Sequence, residues 1–255
     1  MLPLKQGIIY GPVNSRRLGR SLGINLLPGC GKVCSFDCIY CQYGRTRVKT
    51  LDPDPEGFPT LDEVIAAVET ALKSGPDFDN FTFSGNGEPT LHPRWPEVVE
   101  AVRQLRDRYR PGARLSLLSN SSTVVRPEIR ATLARLEAPI MKLEAGDEAT
   151  FAAIDRPADG VSLDATVAGL AQVPGLSIQS LMVTGAVTNS EGPAFENWLE
   201  VLARLKPARV QVYSTDRPVP EAGVERVSPE RLQQIAARAA EQTGLEVRAY
   251  WSSPR

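Results

Sequence analysis

The chain has 255 residues, of which 42% are apolar and 23% charged, with a formal net charge of −1. That balance excludes long disorder, and no run of about 18 apolar residues exists to cross a bilayer as a helix. It also gives no global attraction to nucleic acid or to an anionic membrane. The first residues, Met1 to Gly7, break their apolar run with Pro3 and Lys5, unlike a signal peptide, so a cytoplasmic protein is expected. His92 is the sole histidine, which rules out a poly-histidine metal site and leaves one candidate for any Ser–His or Cys–His pair.

Apolar runs and helical stripes alternate along the chain. Strands are expected at 22–27, 79–84, 114–119, 139–144, 177–183 and 208–214. Helices are expected at 61–74, 95–109, 127–136, 161–172, 194–205 and 228–242. Leu61, Val64, Ile65, Val68 and Leu72 form the apolar stripe of the first helix. Ser228-Pro229-Glu230 is a start signal for the last. Such alternation implies parallel strands with right-handed crossovers. No internal repeat or low-complexity linker divides the chain, and the turn-rich segment 52–59 is too short for a boundary, so one domain over 1–255 is expected.

The strands alternate polar with apolar residues. Thr82 and Ser84 alternate with Phe81 and Phe83; Lys142 and Glu144 with Met141 and Leu143; Gln211 and Tyr213 with Val210 and Val212; Gln179 is a weaker case. The apolar set must face the helices, which leaves the polar set facing inward. A closed barrel fills its interior with Val, Ile and Leu. A polar lining instead suits an open, incomplete barrel around a polar ligand, although an edge strand with one solvated face would also read this way.

All four cysteines fall within twelve residues, Cys30-Gly-Lys-Val-Cys34-Ser-Phe-Asp-Cys38-Ile-Tyr-Cys41. A disulfide framework spreads cysteines to close long loops, and this cluster closes none. Four small buried hydrophobes are the plainer alternative, but the glycine, lysine and serine among them read as loop. A structural zinc site usually takes ligand pairs from two separated elements, and here one loop, about 28–45, carries everything. An iron–sulfur cube is wider, so one loop can wrap it with thiolates three or four residues apart.

The segment Cys34-Ser-Phe-Asp-Cys38-Ile-Tyr40-Cys41 resembles the signature of the radical SAM (S-adenosylmethionine) superfamily. After the strand at 79–84, Asn86-Gly87-Glu88-Pro89 resembles the Gly-Gly-Glu-Pro motif of those enzymes, with Asn86 where the superfamily often has glycine. Stretches 11–28, 141–147 and 212–217 look like a branch related to the tRNA wyosine-base synthases, and the likeness runs from about 8 to 250. The resemblance implies a partial (β/α)6 TIM-like barrel, one [4Fe–4S] cluster and SAM. It implies reductive cleavage of SAM to methionine and a 5′-deoxyadenosyl radical that takes hydrogen from a substrate, an oxidoreductase-like chemistry.

By the same resemblance, Cys34, Cys38 and Cys41 hold three irons, and the fourth stays open for SAM. Cys30 is then a fourth ligand, a cap on the open iron, or an ordinary loop residue. Tyr40, Gly85, Asn86, Gly87, Glu88 and Asn120 are the expected SAM contacts: Glu88 accepting from the ammonium, Gly87 letting the backbone approach the ligand, Asn86 tolerating a left-handed turn, and Asn120 touching the ribose. Lys142, Glu144, Gln179, Gln211 and Tyr213 are expected to line the open mouth of the barrel, and some to touch substrate, with Lys142 and Glu144 able to pair. A flavodoxin- or ferredoxin-type electron donor is implied, and no membrane partner. Wyosine-base synthases carry a second cluster on additional upstream cysteines, which this sequence lacks before Cys30; where they more often have Asp, it has Glu144. The substrate stays open between a small molecule, a peptide and an RNA. Arg16, Arg17, Arg20, Arg45, Arg47 and Lys49 flank the cluster loop and would either meet RNA phosphates or be solvated surface. A non-catalytic metal-binding module is the remaining alternative to an enzyme.

Overall fold

A computed structural model describes residues 1–252. In chain order the strands are β1 (Ile9–Ser15), β2 (Gly19–Ile24), β3 (Val33–Cys34), β4 (Val48–Lys49), β5 (Asn80–Phe83), β6 (Arg114–Ser119), β7 (Ala138–Lys142), β8 (Ser177–Leu181), β9 (Val183–Gly185), β10 (Arg209–Tyr213), β11 (Val224–Arg226) and β12 (Val247–Tyr250). The helices are α1 (Leu61–Ser74), α2 (Trp95–Tyr109), α3 (Pro127–Leu133), α4 (Glu148–Ile154), α5 (Leu163–Leu170), α6 (Gly192–Leu205) and α7 (Pro229–Thr243).

Eight strands form one curled, open sheet in the order β1-β2-β5-β6-β7-β8-β10-β12. Only β1 is antiparallel; from β2 to β12 every neighbouring pair is parallel. The result is the partial barrel that the polar lining suits and the family resemblance implies. No described helix is long and apolar enough to cross a membrane.

Local chemistry explains the helices. Thr60 accepts from the Glu63 amide at 3.3 Å while Glu63 Oε2 accepts from the Thr60 amide at 2.7 Å, a capping box that starts α1. Ser228 caps α7 ahead of Pro229, and Gly244 ends it at φ 71°.

The register confirms the two-faced strands. Thr82 pairs with Ser116, Lys142 with Gln179, Gln179 with Gln211 and Gln211 with Arg248, so these positions share the inner face. Phe81, Phe83, Leu115, Leu117, Met141, Ile178, Val210 and Val212 lie on the outer face, fully buried under the helices. Phe83 meets Trp95 edge-on at 5.0 Å between ring centroids. Ser180 has outer parity, and its Oγ and the Leu143 carbonyl both accept from Trp198 Nε1.

Several boundaries differ from the periodicity. The hairpin strand β1, the last strand β12 and helix α4 carry no stripe long enough to read. Strand β2 starts at Gly19, three residues before its apolar run, because β1 pairs with its polar half. Strand β7 stops at Lys142, so Leu143 and Glu144 lie on the loop beyond it. Helix α3 ends at Leu133 rather than 136.

Candidate active site

Active sites of barrels with parallel strands gather at the strands' C-terminal ends. The cysteine loop follows β2 and is stitched down there from three sides. The amides of Asp37 and Ile39 donate to the carbonyls of Asp155 and Ile154, at 3.0 Å each, and the Ala158 amide donates to the Ser35 carbonyl at 2.7 Å. The Thr50 amide donates to the Cys34 carbonyl, and the Cys41 amide to the Cys38 carbonyl, at 3.1 Å each. Cys34 and Cys38 are buried, Cys41 is half-buried and Cys30 is exposed.

The third side is the turn after β5. A β-carbon on Gly87, whose φ is 153°, would overlap the carbonyl of Val33. Gly87 therefore lets the turn meet the cysteine loop. Gly85, at φ 148°, is pressed against the Asn25 side chain in the same way. Asn86 lies between them and is not in the left-handed region expected for it. Its fully buried side chain works as a clamp. Oδ1 accepts from the Lys5 amide at 2.7 Å, and Nδ2 donates to the carbonyls of Lys5 at 2.8 Å and Pro28 at 3.1 Å. It ties the N-terminal segment to the start of the cysteine loop. Leu2 N donates to the Gln42 carbonyl at 2.7 Å, so the segment also reaches the loop's far end.

Glu88 is 1% exposed. Its Oε1 accepts from Thr90 N at 3.1 Å, Thr90 Oγ1 at 2.6 Å and Ser119 Oγ at 3.0 Å, and its Oε2 accepts from Asn120 N at 2.6 Å. Three of the four donors crowd Oε1, and Oε2 keeps a lone pair. Glu88 thus braces two strand ends, and among the described residues Oε2 accepts from the Asn120 amide alone. Burial raises its pKa against those hydrogen bonds. Asn120 Nδ2 donates to Ser35 Oγ at 2.8 Å and lies 3.5 Å from Cys34 Sγ.

The inner face supplies the charge. Lys142 Nζ lies 3.0 Å from Cys38 Sγ and 3.3 Å from Glu144 Oε2, and it pairs most closely with Asp155. Asp155 Oδ1 receives no hydrogen bond among the described residues, only this charge. The ammonium also sits over the rings of Tyr40, at 4.9 Å, and Phe36, at 5.1 Å. The Tyr40 hydroxyl donates to Glu144. Burial alone would lower the Lys142 pKa; Asp155, Cys38 and Glu144 outweigh it and hold the ammonium well above its ordinary range. Burial lifts Glu144 out of the usual carboxylate range despite Lys142. The expected pair is thus a buried triad with Asp155, which belongs to α4's end and gave no sequence signal.

Gln179 and Gln211 are buried on the inner face, and Tyr213 is half-buried. Arg17 joins them from the β1–β2 turn, its guanidinium 4.5 Å from the Tyr213 ring. The other arginines expected to meet phosphates are largely occupied. Arg16 pairs with Asp216, Arg45 with Glu221 and Asp37, and Arg47 donates to the Cys30 carbonyl at 2.9 Å.

Among the described residues no three His, Cys, Asp or Glu side chains converge tightly enough for a single metal ion. The donor set does suit a larger thiolate-bound group. Burial pushes the Cys34 thiol up to about 11 and Cys38 well above its ordinary value. Such thiols become thiolates when a metal replaces the proton, and buried thiolates need positive charge nearby. Lys142 is one such charge. Lys32, 4% exposed, is another: burial opposes its charge, but the thiols of Cys41, Cys34 and Cys38 outweigh that. Lys32 sits inside the cysteine run, where nothing in the sequence marks it as buried.

The profile of the radical SAM superfamily matches residues 30–220. A UPF0026 protein of Methanocaldococcus jannaschii is 32% identical over 90% of this chain and 70% of its own length. A protein named GTPase Obg from Brachyspira hyodysenteriae is 31% identical over 84% of this chain, which spans only 31% of that protein. Among solved structures, that of TYW1 with a lysine-pyruvate adduct bound superposes at a TM-score of 0.60 with 14% identity, over 87% of this chain and 73% of that one. At that identity the likeness concerns the fold alone.

Proposed function

The chain belongs to the radical SAM superfamily and is an enzyme of that class; on that premise we propose that Cys34, Cys38 and Cys41 hold three irons of a [4Fe–4S] cluster and that Cys30 does not. With SAM, the cluster would supply one-electron reductive cleavage of the sulfonium and so the means to take hydrogen from a substrate. A flavodoxin- or ferredoxin-type protein would supply the electron. What carries the reading is the seating of the three-thiol loop at the strands' C-terminal ends, between the buried ammonium groups of Lys32 and Lys142.

The chain's own residues then divide the work. Gly87 and Asn86 lock the cysteine loop against the turn after β5. Glu88 fixes the backbone of Asn120, which orients its amide toward Ser35 and Cys34. The turn Gly85–Glu88 would offer its backbone to the methionine end of SAM, and Tyr40 would pack beside it. Ile39, fully buried with Ile154, Leu181 and Val183, keeps water from beneath the loop. Lys142, Glu144, Gln179, Gln211 and Tyr213 would wall the substrate chamber. We read residues 1–255 as one domain and as a single-cluster relative of the wyosine-base synthases. Four free thiols suit the reducing cytoplasm.

RNA is not favoured as substrate, because Arg16 and Arg45 spend their charge on Asp216, Glu221 and Asp37. The test is anaerobic reconstitution of single variants. Cys34→Ala, Cys38→Ala and Cys41→Ala should each lose iron, labile sulfide and SAM cleavage, while Cys30→Ala keeps all three. Equal loss at Cys30 would mean a four-thiolate site and remove the open iron.

A further inference from the structure

Arg17 differs from the other cations around the chamber. Lys142 has Asp155 and Glu144, Arg16 has Asp216 and Arg45 has Glu221. Among the described residues Arg17 has no carboxylate within ion-pair distance. Its position is nonetheless built. Ser15 Oγ accepts from the amides of Arg17 at 3.3 Å and Leu18 at 3.1 Å, and buried Leu18 anchors the turn. The side chain crosses from the β1–β2 turn to strands β8 and β10. There NH1 donates to Gln179 Oε1 at 2.7 Å and Gln211 Oε1 at 3.3 Å, and the guanidinium lies over the Tyr213 ring.

The direction of these hydrogen bonds matters. A guanidinium is donor-only, so it turns both glutamine oxygens toward itself. The Tyr213 hydroxyl reinforces this by donating to Gln179 Oε1 at 3.4 Å. Both glutamine Nε2 groups then point elsewhere, and among the described residues they meet no acceptor. Neither is a sealed, orphaned polar atom, so both remain reachable. Nε and NH2 of Arg17 are likewise without a protein acceptor among the described residues. The chamber therefore presents a cluster of donors around an uncompensated positive charge, on a wall that includes half-buried Tyr213. Removing a cation from water is costly unless an anion joins it. The planar fork matches a carboxylate or a phosphate, which can take two parallel N–H bonds.

We infer that the substrate carries an oxyanion, a carboxylate or a phosphate, that Arg17 grips together with the Nε2 groups of Gln179 and Gln211. This rests on the reading of the polar lumen as the substrate chamber.

The experiment uses anaerobically reconstituted full-length protein at constant ionic strength. Inorganic phosphate and malonate are titrated separately and followed by calorimetry. One of them should bind saturably: phosphate identifies a phosphorylated substrate, malonate a carboxylate. Arg17→Gln should weaken that binding by about tenfold or more, the loss expected for a charge-assisted hydrogen bond. Arg17→Lys should fall between. Arg20→Gln, on the same hairpin but paired with Asp79, should match the wild type. Should Arg17→Gln fail to fold, the wild type answers alone: bound anion should shield Arg17, and not Arg20, from a dicarbonyl reagent. Equal affinity in wild type and Arg17→Gln, or no saturable binding of either anion, overturns the inference. So does stoichiometric displacement of the anion by SAM, which would assign Arg17 to the cofactor's own carboxylate. Failure of the wild type to load a cluster is scored separately, by iron and sulfide content, and counts against the proposed function instead.

Discussion

The ammonium of Lys142 lies 3.0 Å from the sulfur of Cys38, and the same ammonium is the counter-charge of Asp155 and Glu144. Removing it leaves two buried carboxyl groups without a cation. Lys142→Met should therefore destabilise the fold by about 3–5 kcal/mol. Adding Asp155→Asn should restore more than half of that loss in chemical denaturation. A single variant as stable as wild type would show that the triad is not a structural unit.

Gly87→Ala should be as severe, for a steric reason. The new methyl group would overlap the Val33 carbonyl at a positive φ. Neither backbone can yield without unseating the cysteine loop, so a loss of about 3 kcal/mol or more is expected. Reconstituted iron content should fall with it. Full iron content at wild-type melting temperature would contradict the close approach.

Asn86→Ala should act on the N-terminal segment. The side chain makes three hydrogen bonds to the backbone of Lys5 and Pro28, worth about 1–3 kcal/mol together in this partly buried place. Trypsin should then cut after Lys5 faster than in the wild type. Unchanged cleavage would mean that other contacts hold the segment.

His92 gives a pH prediction with one titrating group of its kind. Nε2 donates to the Pro59 carbonyl at 2.8 Å, and Nδ1 accepts from the Arg94 amide at 3.2 Å, an arrangement only the neutral ring satisfies. Burial depresses its pKa. A histidine lowered in the folded state contributes stability above its unfolded value of about 6.5 that is lost as pH falls through the folded value. His92→Gln should lose less stability than wild type between pH 7 and pH 5. The sole imidazole resonance should also titrate below its ordinary midpoint, and a midpoint above it would refute the burial argument.

The parts of this protein that were legible in its sequence are those encoded over short distances. Cysteine spacing, the stripe of α1 and the parity of Lys142, Gln179 and Gln211 each need fewer than about twenty neighbouring residues to read. The parts that were not legible depend on groups far apart in the chain. Asp155 reaches Lys142 from a helix too short to show a period. Asn86 looked like a turn residue, but its partners are Lys5 and Pro28, 81 and 58 positions away. Arg17 looked like one of several surface charges until the curl of the sheet carried its turn across to β8 and β10. Glu88 read as a ligand group from its motif, and the motif gave no sign of its further bracing by Ser119 and Asn120, more than thirty positions away.

Among the described residues the half-barrel leaves the sheet with two unpaired edges, and an unpaired edge is a template for adding another strand. At one side β1 breaks register with β2 between Tyr10 and Val13, where Gly11-Pro12 sits, and Pro12 has no amide hydrogen to offer. At the other, β12 is four residues long and carries Arg248, paired with Glu246. Both margins discourage edge-to-edge stacking of copies, so the protein can keep an open barrel without inviting polymerisation. A Pro12→Val variant would remove one of these guards and should show it first as aggregation at high concentration.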